Sequence, residues 1–241
     1  MRLKLVKKIK EAKGTMSFFW EPEREIQWFP GQYFYYTLPK LKFEDSRGPT
    51  RQFTIASSPT EGQILRLTTK FPEEMSGFKK TLLTFNTGDI VEGEGPSGML
   101  KFNEDEKDKV HIFLAGGVGI TPFRASIKYD IDKNLHTKIY LIYSNSQVPE
   151  IAYRRELESW AAKYDQLKLN ITISEQIDRK WRGLIGRVNI DMVNKLIKTR
   201  KEDNLAFWAV GPPKFVYAME TIIDNFNIAP ENKHIEIFTG Y

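Results

Sequence analysis

The sequence contains no cysteine among its 241 residues. This absence excludes a disulfide framework, a thiol nucleophile and a cysteine-bound iron–sulfur cluster within this chain. Histidine is scarce as well, and His111, His136 and His234 do not have the spacing of metal ligands. We therefore expect no metal site, so that any redox chemistry would depend on an organic cofactor.

Long apolar runs are also missing. No stretch approaches the roughly 20 consecutive apolar residues that a transmembrane helix needs. The first residues alternate basic and apolar side chains, with Arg2, Lys4, Lys7 and Lys8, and do not have the pattern of a signal peptide. These features predict a cytoplasmic protein without membrane insertion.

The sequence is mildly basic, with a formal net charge of +5. No dense run of Lys and Arg with interleaved aromatic residues marks a nucleic-acid face, so nucleic acid is not an expected partner. An anionic cofactor, an acidic protein partner and an ordinary basic surface all remain open. The hydrophobic content of 41% is sufficient for one large domain or two ordinary ones.

Strand-like patterns dominate the first part of the chain. Short alternating apolar runs at Tyr33–Leu38, Gln52–Ala56 and Ile64–Thr69 are separated by turn signals, which is typical of an antiparallel barrel or sandwich. One segment, Ser76–Phe85, carries apolar residues at helical spacing and is predicted to be a helix.

The period changes after the charged run Asn103–Lys109, which we interpret as a linker. Predicted buried strands then alternate with predicted helices, and this alternation implies a parallel sheet with right-handed crossovers. We therefore predict two domains, at residues 1–104 and 105–241. The strands are expected at Val110–Leu114, Lys138–Tyr143, Lys168–Ile173 and Leu205–Val210, and the helices at Phe123–Ile131, Ala152–Tyr164, Ile190–Ile197 and Phe215–Asn225.

Two glycine turns follow predicted strands of the second domain. The first, Ala115–Pro122, opens a helix, which is where an α/β sheet binds phosphates, although a tight structural turn is the alternative. Thr121 is expected to cap that helix and Pro122 to occupy its first turn. The second turn, Val210–Pro213, also precedes a helix, so that both turns would face one ligand from two sides.

Four segments resemble the ferredoxin–NADP reductase family in their order along the chain. Arg51–Pro59 is similar to the flavin motif of that family, and Gly116–Pro122 to its nicotinamide-nucleotide loop. Val210–Pro213 with Met219 resembles its Cys-Gly-Pro-Pro…Met segment, and Glu236–Tyr241 its aromatic C-terminal segment. The resemblance implies an N-terminal FAD-binding antiparallel β-barrel followed by a C-terminal, Rossmann-like NAD(P)-binding α/β domain with a parallel sheet.

The resemblance places FAD against the barrel. Arg51 would hold the pyrophosphate by paired hydrogen bonds, to which its planar cation is suited, although Arg51 can also be a surface residue. Phe53 would pack against the flavin and Thr54 would hydrogen-bond near the reactive ring nitrogen, where the family more often has Tyr and Ser. The helix that begins at Ser76 would face the pyrophosphate. The other implied FAD-binding residues are Gln52, Thr68, Thr69, Lys70, Gly77 and Phe78.

Thr54, Glu236 and Tyr241 are the implied catalytic residues. Tyr241 and Phe238 would stack on the flavin and regulate access of the nicotinamide, although an aromatic residue here can equally be a packing anchor. Glu236 would have a proton or hydrogen-bonding role near the flavin, or be an ordinary solvated carboxylate.

The implied nucleotide contacts leave the coenzyme open. The segment Tyr143–Ser146 has no carboxylate to repel a 2′-phosphate, which favours NADP(H) over NAD(H), whereas Glu175 argues the other way. Val210 replaces the cysteine that the family carries beside the nicotinamide, so hydride transfer would be aligned differently. The implied nucleotide-binding residues are Gly116, Gly117, Gly119, Thr121, Pro122, Ser144, Gly211 and Pro212, and the available cations are Arg154, Arg155, Arg179 and Lys180.

The implied activity is electron transfer between NAD(P)H and a separate one-electron carrier such as ferredoxin or flavodoxin, through bound FAD. A basic surface would suit an acidic carrier. The alternative is an FAD-binding electron-transfer subunit of a larger redox complex, without independent diaphorase activity. A nucleotide-binding module without flavin is disfavoured because it leaves Arg51–Pro59 unexplained.

Overall fold

The computed structural model describes residues 1–102, 104–175, 180–197 and 204–239. Two six-stranded sheets organise these residues, the first antiparallel and the second parallel. The predicted fold class, an antiparallel barrel followed by a parallel α/β domain, is confirmed. No helix within these ranges combines the length and the apolar character that crossing a membrane requires.

The first sheet closes into a barrel. Its strand order is β4-β3-β6-β1-β2-β5, and the two edge strands meet where Ile55 bridges Leu67. Closure removes both exposed edges. One helix, α1 (Gly77–Leu83), packs Phe78 and Leu82 into the barrel core. The strands are β1 (Arg2–Ala12), β2 (Thr15–Pro22), β3 (Tyr33–Thr37), β4 (Thr50–Thr54), β5 (Leu65–Lys70) and β6 (Ile90–Ser97).

The second sheet has the order β10-β9-β8-β7-β11-β12, with helices on both faces. β7 lies between β8 and β11. The strand order therefore runs outwards on both sides of β7, and such a reversal forms a crevice at the carboxyl ends of β7 and β11. The strands are β7 (Val110–Gly116), β8 (Lys138–Asn145), β9 (Leu167–Ile173), β10 (Leu184–Ile185), β11 (Leu205–Gly211) and β12 (Lys233–Ile237), and the helices are α2 (Ile120–Lys133), α3 (Arg154–Lys163), α4 (Ile190–Ile197) and α5 (Pro213–Ile223).

The elements differ from the sequence-based expectation in three places. The helix predicted at Phe123–Ile131 begins at Ile120, because the glycine turn itself winds into a 3₁₀ turn that leads into α2. The predicted linker contains a 3₁₀ turn at Glu104–Glu106. β10 and β12 were not predicted; β12 carries only two apolar residues, Ile235 and Ile237, and β10 is two residues long.

Candidate functional site

A cleft lies between the barrel and the parallel sheet, and its volume, including the solvent-open entrance, is about 700 Å³. The barrel contributes the ends of β3, β4 and β5, and the second domain contributes the glycine turn and residues 236–239. Predicted residues from separate parts of the chain meet here: Arg51, Gln52, Phe53, Thr54, Thr68, Thr69, Ser76, Thr121, Glu236 and Phe238.

Other predicted residues are not brought into the wall of the cleft. Phe78 is fully buried beneath it, with its ring 5.9 Å from that of Phe53. Tyr241 lies outside the described residues, as does Arg179. The remaining predicted residues that do not line the cleft are Lys70, Gly77, Gly116, Gly117, Gly119, Pro122, Ser144, Gly211 and Pro212.

Thr54 presents a hydroxyl that nothing in the described part of the chain satisfies. It ends β4 and is paired with Tyr33 of β3, and both residues line the cleft. The Oγ1 atom of Thr54 is buried and has no hydrogen-bond partner. Because a buried hydroxyl without a partner costs free energy, this atom is suited to a polar ligand in the cleft.

Arg51 is already surrounded by acceptors. Its Nη2 donates to Asp45 Oδ1 at 2.5 Å, and its Nη1 donates to the carbonyl oxygens of Arg47, Gly48 and Thr50 at 2.6–3.0 Å. These contacts fix the guanidinium in the wall of the cleft. They also place a carboxylate beside the cation that the sequence assigns to the pyrophosphate.

The Asp45 carboxylate connects the 45–48 loop to α1. Its Oδ2 accepts the Phe78 amide at 2.8 Å, and its Oδ1 accepts the Arg47 amide at 3.0 Å. Burial alone would raise the pKa of Asp45, but these two amides and the Arg51 charge lower the pKa below its ordinary value. Asp45 is therefore an anion at neutral pH.

Lys79 is a cation that sequence analysis missed. It follows Ser76 in the first turn of α1, lines the cleft and donates from Nζ to the Lys70 carbonyl at 2.9 Å. Burial, helped by the nearby Arg51 charge, lowers the pKa of Lys79 to about 8. The side chains of Ser76 and Lys79 also border a second cavity of about 760 Å³, measured in the same way, on the far side of Asp45.

The glycine turn packs closely on β11. A Cβ on Gly119 would lie 2.2 Å from the Val210 carbonyl oxygen, whereas Gly117, at φ +52°, has open space where a Cβ would be. Only glycine allows both the close approach at position 119 and the positive φ at position 117 without strain. The prediction that Thr121 caps α2 was wrong: the cap position is Gly119, two residues earlier, and the Thr121 hydroxyl donates to the Val118 carbonyl at 3.1 Å. Pro122 is in the first turn, as predicted.

The second glycine turn lies beside the first. A Cβ on Gly211 would be 3.1 Å from the Cα of Gly116, so the two turns are in direct contact. The Gly211 carbonyl accepts the Phe238 amide at 2.9 Å, which extends the pairing of β11 with β12 into the cleft. Val210, at the position of the family cysteine, is fully buried in the core of the second domain and does not line the cleft.

Glu236 faces the cleft from β12. Burial raises the pKa of this carboxyl to about 7. Its charge in turn contributes to a raised pKa of Tyr33, after the stronger effects of the Tyr35 hydrogen bond and burial. A carboxyl group with a pKa near neutrality can hold or release a proton at physiological pH.

The end of β8 lies directly beside the first glycine turn. Ser144 is paired with Gly116, and the Asn145 and Ser146 carbonyls accept the amides of Ser174 and Glu175 at 3.0 Å. The Arg154 guanidinium is 5.2 Å from the Trp181 ring and forms an ion pair with Glu158 at 2.7 Å.

Sequence analysis also missed Tyr33, Val118, Ile237 and Thr239 in the cleft wall. Val118 lies between predicted residues of the glycine turn and was available from its position. Tyr33 is recognisable only from its cross-strand pairing with Thr54, which a linear pattern does not reveal. Within the described ranges, no group of three or more His, Asp or Glu side chains is arranged to hold a metal ion.

Comparison with known proteins identifies the second half of the chain directly. Residues 113–221 match the family of oxidoreductase NAD-binding domains. The chain is 24% identical over 245 residues to the flavohemoprotein of Oceanobacillus iheyensis and 27% identical over 242 residues to the glycine betaine monooxygenase reductase subunit of Pseudomonas aeruginosa. Each match covers 98% of this chain, which spans 58% and 63% of the two relatives.

The fold is likewise shared with solved reductases. The ferredoxin–NADP⁺ reductase of Plasmodium falciparum superposes with a TM-score of 0.77 at 17% identity, covering 98% of this chain and 95% of that protein. The resemblance drawn from the four sequence segments agrees with these findings: the fold is that of the solved reductase, and residues 113–221 match an NAD-binding domain.

Proposed function

We propose that this chain, an oxidoreductase of the ferredoxin–NADP reductase-like family, transfers electrons between NAD(P)H and a separate one-electron carrier through bound FAD. Residues 1–104 would form the FAD-binding domain and residues 105–241 the NAD(P)-binding domain. FAD, when bound, supplies the hydride-accepting and one-electron chemistry that the side chains of this sequence lack.

The single observation that carries this proposal is the unsatisfied Thr54 hydroxyl in a cleft shared by both domains. A flavin ring offers nitrogen and oxygen acceptors along one edge and an apolar face, which match the Thr54 hydroxyl and the Phe53 ring beside it. The glycine turn lines the opposite wall through Val118 and Thr121. A nicotinamide held by that turn would therefore enter the same cleft.

The barrel side of the cleft supports a dinucleotide rather than a short ligand. Arg51 provides positive charge in the first cavity, and Lys79 and Ser76 border both cavities. A flavin in the first cavity, a pyrophosphate at Arg51 and Lys79, and an adenosine in the second would use all of these features. The Asp45 carboxylate holds Arg51 in place and prevents its charge from attracting anions without selection.

Three side chains of the second domain, and Thr54 of the barrel, would act on the reaction. Phe238 is positioned to cover the flavin and exclude water, a role we extend to Tyr241. Glu236, with its raised pKa, would hold or release a proton at its carboxyl oxygen beside the cleft. Thr54 would donate its hydroxyl proton to the bound ring and orient it.

For the coenzyme we favour NADP(H) over NAD(H). Ser144, which is adjacent to the first glycine turn, leaves no carboxylate at the end of β8 to repel a 2′-phosphate. Arg154 is a candidate cation to attract that phosphate.

For the partner we propose an acidic electron-carrier protein, such as a ferredoxin or flavodoxin. The net charge of +5 supports electrostatic attraction to such a carrier. The rate of carrier reduction should then fall as ionic strength rises, because salt screens charge attraction across more than about 10 Å at 0.1 M.

A second candidate is an electron-transfer subunit that binds FAD but lacks independent diaphorase activity. One observation favours it: Val210 is buried where the family has a nicotinamide-adjacent cysteine. It would be reduced efficiently only with a partner in place.

Anaerobic titration of the purified chain with NADPH and, separately, with NADH tests the proposal. A yellow protein whose flavin absorption bleaches preferentially with NADPH is the expected result. Bound flavin that neither coenzyme reduces would support the subunit instead. A protein that cannot be reconstituted with FAD would refute both.

A further inference from the structure

One residue of the second domain reaches the wall of the FAD cleft from behind. Tyr153 precedes α3 and is buried at the domain boundary. Its hydroxyl donates to Thr68 Oγ1 at 2.5 Å, and Thr68 lines the cleft from β5. The contact therefore connects the nucleotide-binding domain to a residue facing the proposed flavin.

Two arginines hold Tyr153 in this position. The Arg66 guanidinium is 4.5 Å from the Tyr153 ring centroid, and that of Arg124 is 6.0 Å away on another side. Tyr153 has a φ of +57°, a left-handed conformation that costs a non-glycine residue free energy. A strained residue that is held from several sides, with its hydroxyl directed at a cleft residue, is a candidate for function.

The hydroxyl groups in this cluster leave one proton without an acceptor among the residues that the structure describes. Arg66 Nε donates to Ser17 Oγ at 3.1 Å, and Ser17 Oγ lies 2.6 Å from Thr68 Oγ1. Between Ser17 and Thr68 there are two hydroxyl protons, but only one is used in their mutual hydrogen bond. Ser17 is fully buried outside the cleft, whereas Thr68 borders the cleft.

The arrangement that satisfies the cluster is therefore directional. Tyr153 donates to Thr68, and if Ser17 donates as well, the Thr68 hydroxyl accepts twice and its own proton is left for a ligand in the cleft. Donation from two neighbours also polarises the Thr68 hydroxyl and makes it a stronger donor.

We propose that Tyr153 is a positioning residue of the FAD site, which acts across the domain boundary by fixing the Thr68 hydroxyl as a hydrogen-bond donor to the bound cofactor. This inference rests on the proposed function. It makes the flavin site incomplete without the nucleotide-binding domain. It also couples the position of the nucleotide-binding domain to the binding of the cofactor that this domain must approach.

The test measures FAD affinity in the apo-protein by quenching of flavin fluorescence. Tyr153→Phe, which removes only the hydroxyl, should weaken FAD binding roughly threefold to tenfold, as for the loss of one buried hydrogen bond. The same substitution should have a similar effect in a Thr68→Ser background, where the hydroxyl is kept. It should have no further effect in a Thr68→Val background, because the acceptor is gone.

Tyr129→Phe is the matched control. It removes another tyrosine hydroxyl of the second domain, which donates to Glu104 at 3.0 Å; neither residue lines the cleft, and FAD affinity should not change. A Tyr153→Phe effect that persists in the Thr68→Val background would overturn the inference and assign Tyr153 to domain packing alone. Unchanged affinity in Tyr153→Phe would overturn it as well. Failure of the unmodified chain to bind FAD would instead refute the proposed function.

Discussion

Arg51 and Asp45 form an ion pair at 2.5 Å in the wall of the cleft, with both side chains almost completely buried. The pair joins β4 to the loop before it, and the Phe78 amide joins Asp45 to α1. The proposed pyrophosphate site is thus built around an internal carboxylate, which orients the cation it partly neutralises.

Asp45→Ala is expected to lower the free energy of unfolding by about 3 kcal/mol, because it leaves a buried guanidinium without its charged partner. It should also weaken FAD binding, since Arg51 would no longer be fixed. Asp45→Asn, whose single side-chain oxygen can keep one of the two amide contacts, should be intermediate for both quantities. Chemical denaturation and FAD titration measure the two effects. Tighter FAD binding in either variant would show that Asp45 competes with the cofactor instead of orienting Arg51.

Thr54→Val tests the unsatisfied hydroxyl in the cleft. Without cofactor, the variant should be as stable as the parent or more stable by about 1 kcal/mol, because a buried hydroxyl without a partner is replaced by a methyl group. With FAD bound, the rate of flavin reduction by NAD(P)H should fall, since the ring loses a donor. Differential scanning calorimetry and stopped-flow absorbance provide the two readings. A loss of stability in the cofactor-free protein would mean that the hydroxyl has a partner within the chain.

Because the pKa of Glu236 is raised in the folded protein, we expect the free energy of unfolding to depend on pH. Its pKa is about 7 in the folded protein and about 4.5 when exposed, so protonation is favoured by folding. The contribution of Glu236 to the stability of the folded protein is therefore fully present below about pH 4.5 and is lost as pH rises through 7. Glu236→Gln should raise the melting temperature by a few degrees at pH 8 and leave it unchanged at pH 4.5. The exposed Glu231→Gln serves as control, and a gain that does not depend on pH would contradict the assignment.

Arg124 should be a main determinant of the domain boundary. It is 2% exposed and bonds Glu156 at 2.6 Å in its own domain, together with Glu61 and the Ala56 carbonyl of the barrel. Arg124→Met should lower the free energy of unfolding by about 2–3 kcal/mol, below the value for fully buried pairs because both carboxylates retain some exposure. The melting temperature should then fall by roughly 5–10 °C.

Lys128→Met on the same helix provides the comparison for Arg124. Lys128 pairs with Asp132 within α2, in a more exposed position. Its loss should change stability by less than about 1 kcal/mol. Equal effects of the two substitutions would argue against a special role for the boundary.

The residues that sequence could predict are those that lie in continuous motifs. Arg51–Thr54 and the glycine turn are recognisable because the proposed binding of flavin and of nucleotide each requires particular residues next to one another in a single strand or turn. Asp45, Lys79 and Tyr153 could not be found in this way. Asp45 lies in an irregular loop, Lys79 reaches the cleft only through the winding of α1, and Tyr153 contacts Thr68 across 85 positions of sequence.

The coenzyme preference can be tested at Ser144, which is paired with Gly116 beside the first glycine turn. Ser144→Asp places a carboxylate where the sequence lacks one, and it should repel a 2′-phosphate. We expect kcat/KM for NADPH to fall roughly tenfold, or about 1.4 kcal/mol, with a smaller change for NADH. The same substitution at Ser159, on the exposed surface of α3, should affect neither coenzyme. Equal losses for NADPH and NADH would mean that the 2′-phosphate is bound elsewhere, and Arg154 would be the next residue to replace.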